Sequence, residues 1–253
     1  MDLSVSIFDL ILSQFQNPMS QLQRIAIAPS QLQQGQIFLT KEQQHYLGRV
    51  LRLHEGDRFI AMDGKGKWWL AQLIGEQAQV LEPLLVETEL PVSITLMVAL
   101  PKGNGFDEVV RCCTELGVTC IAPVLSDRTL LHPSPQKLER WRRIAAEAAE
   151  QSERSFVPTI LEPVAFNTAV TANQTSHRYI CEARGKYPHL NKVLSSISGE
   201  IVIATGPEGG WTTQEIENAK SAGFQPVSLG RHILRAVTAP VVALSLITAS
   251  CEV

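Results

Sequence analysis

Two glycine-bearing segments near the C-terminus carry the residue types from which a backbone-lined pocket is made. The first, Thr205-Gly206-Pro207-Glu208-Gly209-Gly210-Trp211, leaves the apolar run Ile201-Val202-Ile203-Ala204. The second, Leu229-Gly230-Arg231-His232-Ile233-Leu234-Arg235, leads into Thr238-Ala239-Pro240. Glycine lets a backbone approach a ligand closely and adopt positive φ. A strand that empties into such a loop ahead of a helix puts it where open α/β sheets hold small molecules. Thr212 with Glu215 three residues on is a capping-box signature, so the first loop ends at a helix N-terminus. Two tight turns are the plainer reading of the same residues.

The loop chemistry narrows the ligand. No Gly-Lys-Ser/Thr ending is present, which excludes a phosphate-cradling P-loop. Glu208 would repel a pyrophosphate, and no acid follows about 20 residues downstream to take a ribose in the dinucleotide manner. A carboxylate among backbone carbonyls suits a ligand with positive charge, such as an amino group or a sulfonium. Ile233 and Leu234 would line an adenine slot. Arg231 and His232 read as solvated charges and Arg235 as functional.

These loops need a sheet to position them, and the chain is long enough for two domains. It has 253 residues, 45% hydrophobic and 19% charged, as in soluble globular proteins. No apolar run approaches the roughly 20 residues that span a bilayer. The longest, Val237 to Ser250, carries Pro240, Ser245 and Thr248. Five cysteines with no C-x-x-C spacing and no histidine cluster read as reduced thiols of a cytoplasmic protein without a metal site. A net charge of -3 excludes a globally basic nucleic-acid binder and leaves room for a local basic patch. Residues 1–19 lack the basic start of a secretory signal. They are either a native N-terminal helix or a segment ahead of a true start at Met19.

Residues 20–88 predict a small β-barrel. Its strands are Arg24–Ala28, Gln36–Leu39, Arg58–Met62, Trp68–Ile74 and Gln79–Leu84, with a hairpin turn at Asp63-Gly64-Lys65-Gly66. A short helix, His45 to Leu53, is expected to turn Tyr46, Leu47, Val50 and Leu51 inward. Glu82 to Pro91 reads as the linker. From residue 92 to 253 strands and helices alternate: strands at Val92–Leu100, Cys120–Leu125, Arg178–Cys181, Glu200–Thr205 and Gln225–Leu229, helices at Phe106–Leu116, Gln136–Gln151, Leu190–Ser195, Thr213–Ala222 and Thr238–Ser250. Such alternation predicts a mostly parallel sheet covered by helices. The last helix is apolar nearly all round, as a helix buried in a core or a subunit interface is.

Residues 41–67 hold six basic side chains (Lys41, Arg49, Arg52, Arg58, Lys65, Lys67) against four acids. Basic groups position phosphates and aromatic rings stack on unpaired bases. Arg49 and Arg52 are read as RNA contacts, Trp68 and Trp69 as core, and Arg140, Arg142 and Arg143 as either a basic surface or a solvated helix face.

Taken together, several motifs resemble the bacterial 16S ribosomal RNA (uracil-N3)-methyltransferases. They are the loop Gly206–Trp211, the segment Leu229-Gly230-x-x-Ile233-Leu234-Arg235, Thr114-Glu115-Leu116-Gly117-Val118, Pro101-Lys102-Gly103, and Glu147-Ala148-Ala149-Glu150-Gln151-Ser152 with Arg154 and Val157-Pro158. In the N-terminal part the resemblance rests on Arg24, His45, Val50-Leu51-Arg52-Leu53 and Gly56-Asp57. It spans residues 20 to 250, in order. It implies a C-terminal α/β domain of the SPOUT class, with a trefoil knot that binds S-adenosyl-L-methionine, behind an N-terminal PUA-like β-barrel that helps hold RNA. It also implies a homodimer with each cofactor site near the interface, acting on 16S ribosomal RNA of the small ribosomal subunit. Carried onto this chain, the cofactor-binding residues are Thr205, Gly206, Pro207, Glu208, Gly209, Gly210, Leu229, Gly230, Ile233, Leu234, Arg235, Thr238 and Ala239. The candidate catalytic residues are Arg154, Arg235 and Glu115, with Glu208 an alternative base. The RNA-binding residues are Arg24, His45, Arg49, Arg52 and Lys102. Two positions depart from the family pattern: Val237 stands where a glutamate is usual, and Glu153 where a glycine is usual. Val237 motivates a second reading, an RNA-binding protein of this fold with impaired catalysis. The glycine loops alone motivate a third, a nucleotide-cofactor oxidoreductase.

Overall fold

A computed structural model of the chain describes residues 22–129, 133–194 and 198–251. Two compact units meet in sequence at Val86 and Glu87. Residues 1–19 and the expected helix end at Ser195 lie outside the described residues.

The first unit is a six-stranded sheet built from β1 (Arg24–Ala26), β2 (Leu32–Gln33), β3 (Gln36–Phe38), β4 (Arg58–Met62), β5 (Trp68–Ile74) and β6 (Gln77–Leu84). Its spatial order is β1-β4-β5-β6-β3-β2, with β1 parallel to β4 and every other pair antiparallel. Ile37, Leu47, Phe59, Ala61 and Ala71 form the interior, and Trp68 is also buried. The β4–β5 turn forms as expected: Asp63 Oδ1 accepts the amides of Lys65 and Lys67, while Gly64 and Gly66 take positive φ. The short helix differs from expectation. Helix α1 (Lys41–His45) passes into a single π turn, Tyr46–Val50, closed by the Leu51 amide on the Tyr46 carbonyl at 2.9 Å. The wider turn adds a residue to the circuit. Leu47 stays buried, but Tyr46 and Val50 face outward at 39% and 58% exposure. The linker is also shorter than expected, because β6 runs on to Leu84.

The second unit is an all-parallel sheet. Its strands are β7 (Val92–Ala99), β8 (Cys120–Leu125), β9 (Thr159–Ile160), β10 (Val164–Ala165), β11 (His177–Cys181), β12 (Gly199–Thr205) and β13 (Gln225–Val227). Their order is β10-β8-β7-β12-β11-β13, with β9 also on β8. Its helices are α2 (Gly105–Glu115), α3 (Pro135–Gln151), α4 (Phe166–Ala172), α5 (Leu190–Val193), α6 (Thr213–Ser221) and α7 (Thr238–Cys251). Parallel strands covered on both faces read as continuous apolar runs, and Ile201, Val202, Ile203 and Ala204 of β12 are all buried. One face packs with Phe106, Trp141 and Leu244 of α2, α3 and α7, the other with Phe166 and Ile216 of α4 and α6. The sequence reading missed β9, β10 and α4. Two-residue strands and a seven-residue helix are too short for hydrophobic periodicity to register.

Both departures from the family pattern have structural explanations. Val237 is half-buried against the core, and a Cβ at Gly105 would lie 2.6 Å from its Cγ1. It therefore packs the start of α7 against the start of α2. At the end of α3, the Arg154 amide bonds the Ala149 carbonyl and the Glu153 amide bonds the Glu150 carbonyl. This is the Schellman closure, whose left-handed position favours glycine. Here Glu153 occupies it at φ 59°. A left-handed backbone costs an L-residue roughly 1–2 kcal/mol, so Glu153→Gly should stabilise the protein by about 1 kcal/mol. Urea unfolding of the two proteins side by side would measure this, and an unchanged or lower midpoint would show that Glu153 fits its position without strain.

Candidate functional site

Three neighbouring strands, β12, β11 and β13, point their C-terminal ends at the same edge of the sheet. The loops that leave them surround one cavity. Gly206 to Trp211 forms the wall after β12, Cys181 to Arg184 the wall after β11, and Leu229, Gly230 and His232 to Leu234 the wall after β13. Ala236 and Ala239 close it from the start of α7.

The β12 loop is braced from several sides. Glu215 is buried and both its carboxylate oxygens are used: one accepts the Thr212 amide at 2.7 Å, the other the Asp127 amide at 2.9 Å. The Thr212 hydroxyl meets Asp127 Oδ2 at 3.1 Å. Arg128 donates to the Gly209 carbonyl, and Glu208 Oε1 accepts the Lys102 amide at 2.9 Å. The turns after β7 and β8 thus hold the loop in place. Trp211 forms the floor: its indole N–H donates to the Cys181 carbonyl at 3.1 Å and its ring stacks on Phe166 with centroids 4.3 Å apart. The loop glycines sit close against their neighbours or in positive-φ backbone. A Cβ at Gly206 would come within 3.1 Å of the Trp211 ring, and one at Gly209 within 3.0 Å of Arg128 Cδ. Gly210 and Gly230 hold φ values of 71° and 135°.

Chemically the cavity has two sides. Leu229, Ile233, Leu234, Ala236 and Ala239 make an apolar slot, while Glu182, Glu208 and loop backbone supply polar groups. Ile233 is 72% exposed at the mouth, an apolar side chain with room for a planar group against it. Burial pushes the Cys181 thiol far above its ordinary range, so it is a neutral wall residue and not a thiolate nucleophile. Burial likewise raises Cys112, Cys113 and Cys120. Among the described residues, no three His, Cys, Asp or Glu side chains are grouped to hold a metal ion.

Of the expected cofactor residues, Gly206, Pro207, Glu208, Gly209, Gly210, Leu229, Gly230, Ile233, Leu234 and Ala239 line the cavity; Thr205, Arg235 and Thr238 do not. Thr205 is fully buried at the end of β12. The Arg235 carbonyl accepts the amides of Thr238 and Ala239, which starts α7 and leaves the Arg235 side chain exposed between wall residues Leu234 and Ala236. His232, read as a solvated charge, is a wall residue. The Cys181–Arg184 wall and Arg128 went unread. β11 sits between β12 and β13 in space yet precedes both in sequence, so only the strand order reveals that its end reaches the cavity.

Two expected catalytic residues lie elsewhere. α2 carries the chain back from the end of β7, so the exposed Glu115 at its C-terminus belongs to the opposite edge of the sheet. Arg154 is there too. Only 5% exposed, it donates to the Thr114 and Val118 carbonyls at 3.0 and 2.7 Å and pairs with Glu89 Oε2 at 2.5 Å. Within this chain it is a brace for the start of β8 and the approach to β7. Of the expected RNA contacts, His45, Arg49, Arg52 and Lys102 are exposed. Arg24 lies over the Trp68 ring at 5.8 Å and donates to the Leu22 carbonyl. Arg140 pairs with Asp107, and Arg142 with Glu139 and Glu162.

Comparison with known proteins gives a consistent result. Residues 88–248 match the RNA methyltransferase domain family and residues 39–81 the RNA methyltransferase PUA domain family. The chain is 50% identical over 236 residues to the ribosomal RNA small subunit methyltransferase E of Synechocystis, covering 90% of this chain and 78% of that protein. It is 29% identical to the Bacillus subtilis protein of the same name, over 90% and 96% of the two chains. The crystal structure of the Neisseria gonorrhoeae ribosomal RNA small subunit methyltransferase E, bound to S-adenosyl methionine, superposes with a TM-score of 0.82 at 33% identity over 90% and 97% of the chains.

The opposite edge yields a prediction of its own. Truncating one partner of a buried ion pair strands the other and typically costs 3–5 kcal/mol. Arg154→Met should therefore lower unfolding stability by roughly 3 kcal/mol, the low end because Glu89 keeps some solvent contact. Equilibrium urea unfolding of the variant checks this; a loss under about 1 kcal/mol, the range of surface pairs, would show that Arg154 is no brace.

Proposed function

We propose that this chain, a member of the ribosomal RNA small subunit methyltransferase E family with an RNA methyltransferase domain and a PUA domain, methylates N3 of a uridine in 16S ribosomal RNA with S-adenosyl-L-methionine as donor, on an α/β domain of the SPOUT trefoil-knot class. The observation that carries this reading is the glycine-walled cavity at the joined ends of β12, β11 and β13. Its apolar slot suits adenine, and its carboxylates and carbonyls suit hydroxyls and a cation. At Gly206 and Gly209 the loop backbone lies close against its own supports, Trp211 and Arg128, which holds it in place along the cavity.

S-adenosylmethionine, when bound, supplies an electrophilic methyl group on a sulfonium. The residues that would hold it are the wall residues Gly206–Gly210, Leu229, Gly230, Ile233 and Leu234, with Ala239 at the base of α7. The protein's remaining task is to bring a uracil N3 into line, and fixed orientation supplies much of the rate. N3 carries a proton at neutral pH; Glu208 of the cavity wall, whose second carboxylate oxygen is not used by Lys102, is assigned as the base that takes it, and its loss leaves negative charge on O2 and O4. Arg235, exposed beside the cavity walls, is assigned the role of stabilising that charge. His45, Arg49 and Arg52 hold the RNA from the PUA-like domain, and Lys102, its amide on Glu208, does so from the turn after β7. The working form is a homodimer in the cytoplasm. α7, apolar nearly all round, leaves Val242 and Leu246 only partly covered, which supports a second copy against them. The reading of impaired catalysis rested on Val237. That residue packs against the core next to the wall residue Ala236, and methyl transfer by the protein as it stands would remove this reading.

Incubation of the protein with S-adenosylmethionine and unmodified small ribosomal subunits, followed by digestion and mass spectrometry of the nucleosides, should yield 3-methyluridine. Methylation at another atom would overturn the N3 assignment, and binding of the cofactor without any transfer would overturn the activity. Arg235→Ala should keep cofactor affinity within about twofold and lower kcat by about 100-fold; unchanged turnover would remove Arg235 from the catalytic set.

A further inference from the structure

Glu182 is a half-buried carboxylate in the cavity wall that no step above uses. It is the first residue beyond β11, and its amide donates to the Val227 carbonyl of β13 at 2.9 Å, which fixes its backbone against the neighbouring strand. Its Oε1 accepts the Arg184 amide at 2.6 Å, which orients the carboxylate. Among the described residues its carboxylate has no ion-pair partner and accepts one hydrogen bond, from the Arg184 amide. A pre-oriented carboxylate with an uncommitted oxygen, facing a cavity, is a hydrogen-bond acceptor awaiting donors.

The strand order says which donors. Along this edge the ends run β7, β12, β11, β13. The apolar slot of Leu229, Ile233 and Leu234 belongs to the β13 side, and Glu208, tied to Lys102, to the β12 and β7 side. Glu182 stands between them. An adenosyl sulfonium is linear in the same sense, with the base at one end, the ribose in the middle and the sulfonium with its amino-acid tail beyond. With the base in the apolar slot, the middle unit faces the middle strand. We propose that Glu182 accepts the 2′- and 3′-hydroxyls of the cofactor ribose, and so makes the pocket select ribonucleosides over 2′-deoxynucleosides. This rests on the reading of the cavity as the S-adenosylmethionine site. The physics is that of other α/β nucleotide sites, where an acid at the end of a neighbouring strand takes the ribose diol. Here that strand comes before the glycine loop in sequence, so a search downstream of the loop passes it by.

The test is a cycle of two ligands and two proteins by isothermal titration. The ligands are S-adenosylhomocysteine and its 2′-deoxy analogue; the proteins are the full chain and Glu182→Ala. The full chain should bind the 2′-deoxy ligand about tenfold or more weakly, a charge-assisted hydrogen bond lost. Glu182→Ala should weaken the ribo ligand by a similar factor and bind both ligands alike. Glu182→Gln, which keeps one acceptor oxygen, should fall between. A ribo-to-deoxy preference that survives in Glu182→Ala would overturn the proposal. Matching circular dichroism and melting temperature would establish that the variant is folded. If the full chain bound neither ligand, the cofactor reading itself would fall, an outcome separate from equal binding by Glu182→Ala alone.

Discussion

The parallel pairing of β12 with β7 on one side and β11 on the other is the constraint on which the cavity depends. Seven consecutive registers join β12 to β7, from Gly199 opposite Val92 to Thr205 opposite Val98, and four join it to β11. Parallel strands share a direction, so their loops leave from one edge, and a ligand held by three loops becomes geometrically possible. The cost of burying such a strand on both faces is met by two separate apolar packings, one with α2, α3 and α7, the other with α4 and α6. A polar residue anywhere in Ile201–Ala204 would face one of them. The loops can be rich in glycine, and intrinsically costly to order, because the strands beneath them are rigid and because Glu215, Arg128 and Lys102 secure them from neighbouring turns.

The sheet also divides the motifs into two groups with different tasks. Those after β11, β12 and β13 face the cavity. Those around Thr114, Val118, Arg154 and Glu89 lie at the other edge, where a buried guanidinium satisfies two backbone carbonyls and a carboxylate. Such an arginine cannot be replaced by its neighbours in type: lysine lacks the fork that reaches three acceptors at once. Conspicuous charge in a motif is thus compatible with a purely architectural task, and burial is what separates the cases.

Much of this was legible from residues alone. Arg58–Met62, Trp68–Ile74 and Cys120–Leu125 were bounded as the structure has them, because turn residues flank each and β-branched or aromatic side chains fill them. Both glycine loops were found from strand-to-helix context. Three features were not legible, each for a physical reason. Tyr46 and Val50 have the apolar spacing of a buried α-helical face, but a π turn changes the angle between them. The β11 wall is invisible because spatial adjacency in a parallel sheet does not follow sequence order. The tasks of Glu115 and Arg154 depend on which edge of the sheet a helix ends at, and a motif does not encode that.

Of the four tryptophans, Trp68 and Trp69 pack in the first unit and Trp141 is sealed between α2 and α3 against Phe106. Trp211 alone forms part of the cavity, held flat by Phe166 and anchored through its indole N–H. The chain therefore has a natural chromophore built into its pocket floor, in a fixed orientation and in a different setting from the other three. Occupancy of the pocket is written into the protein's own ultraviolet emission, with no label attached.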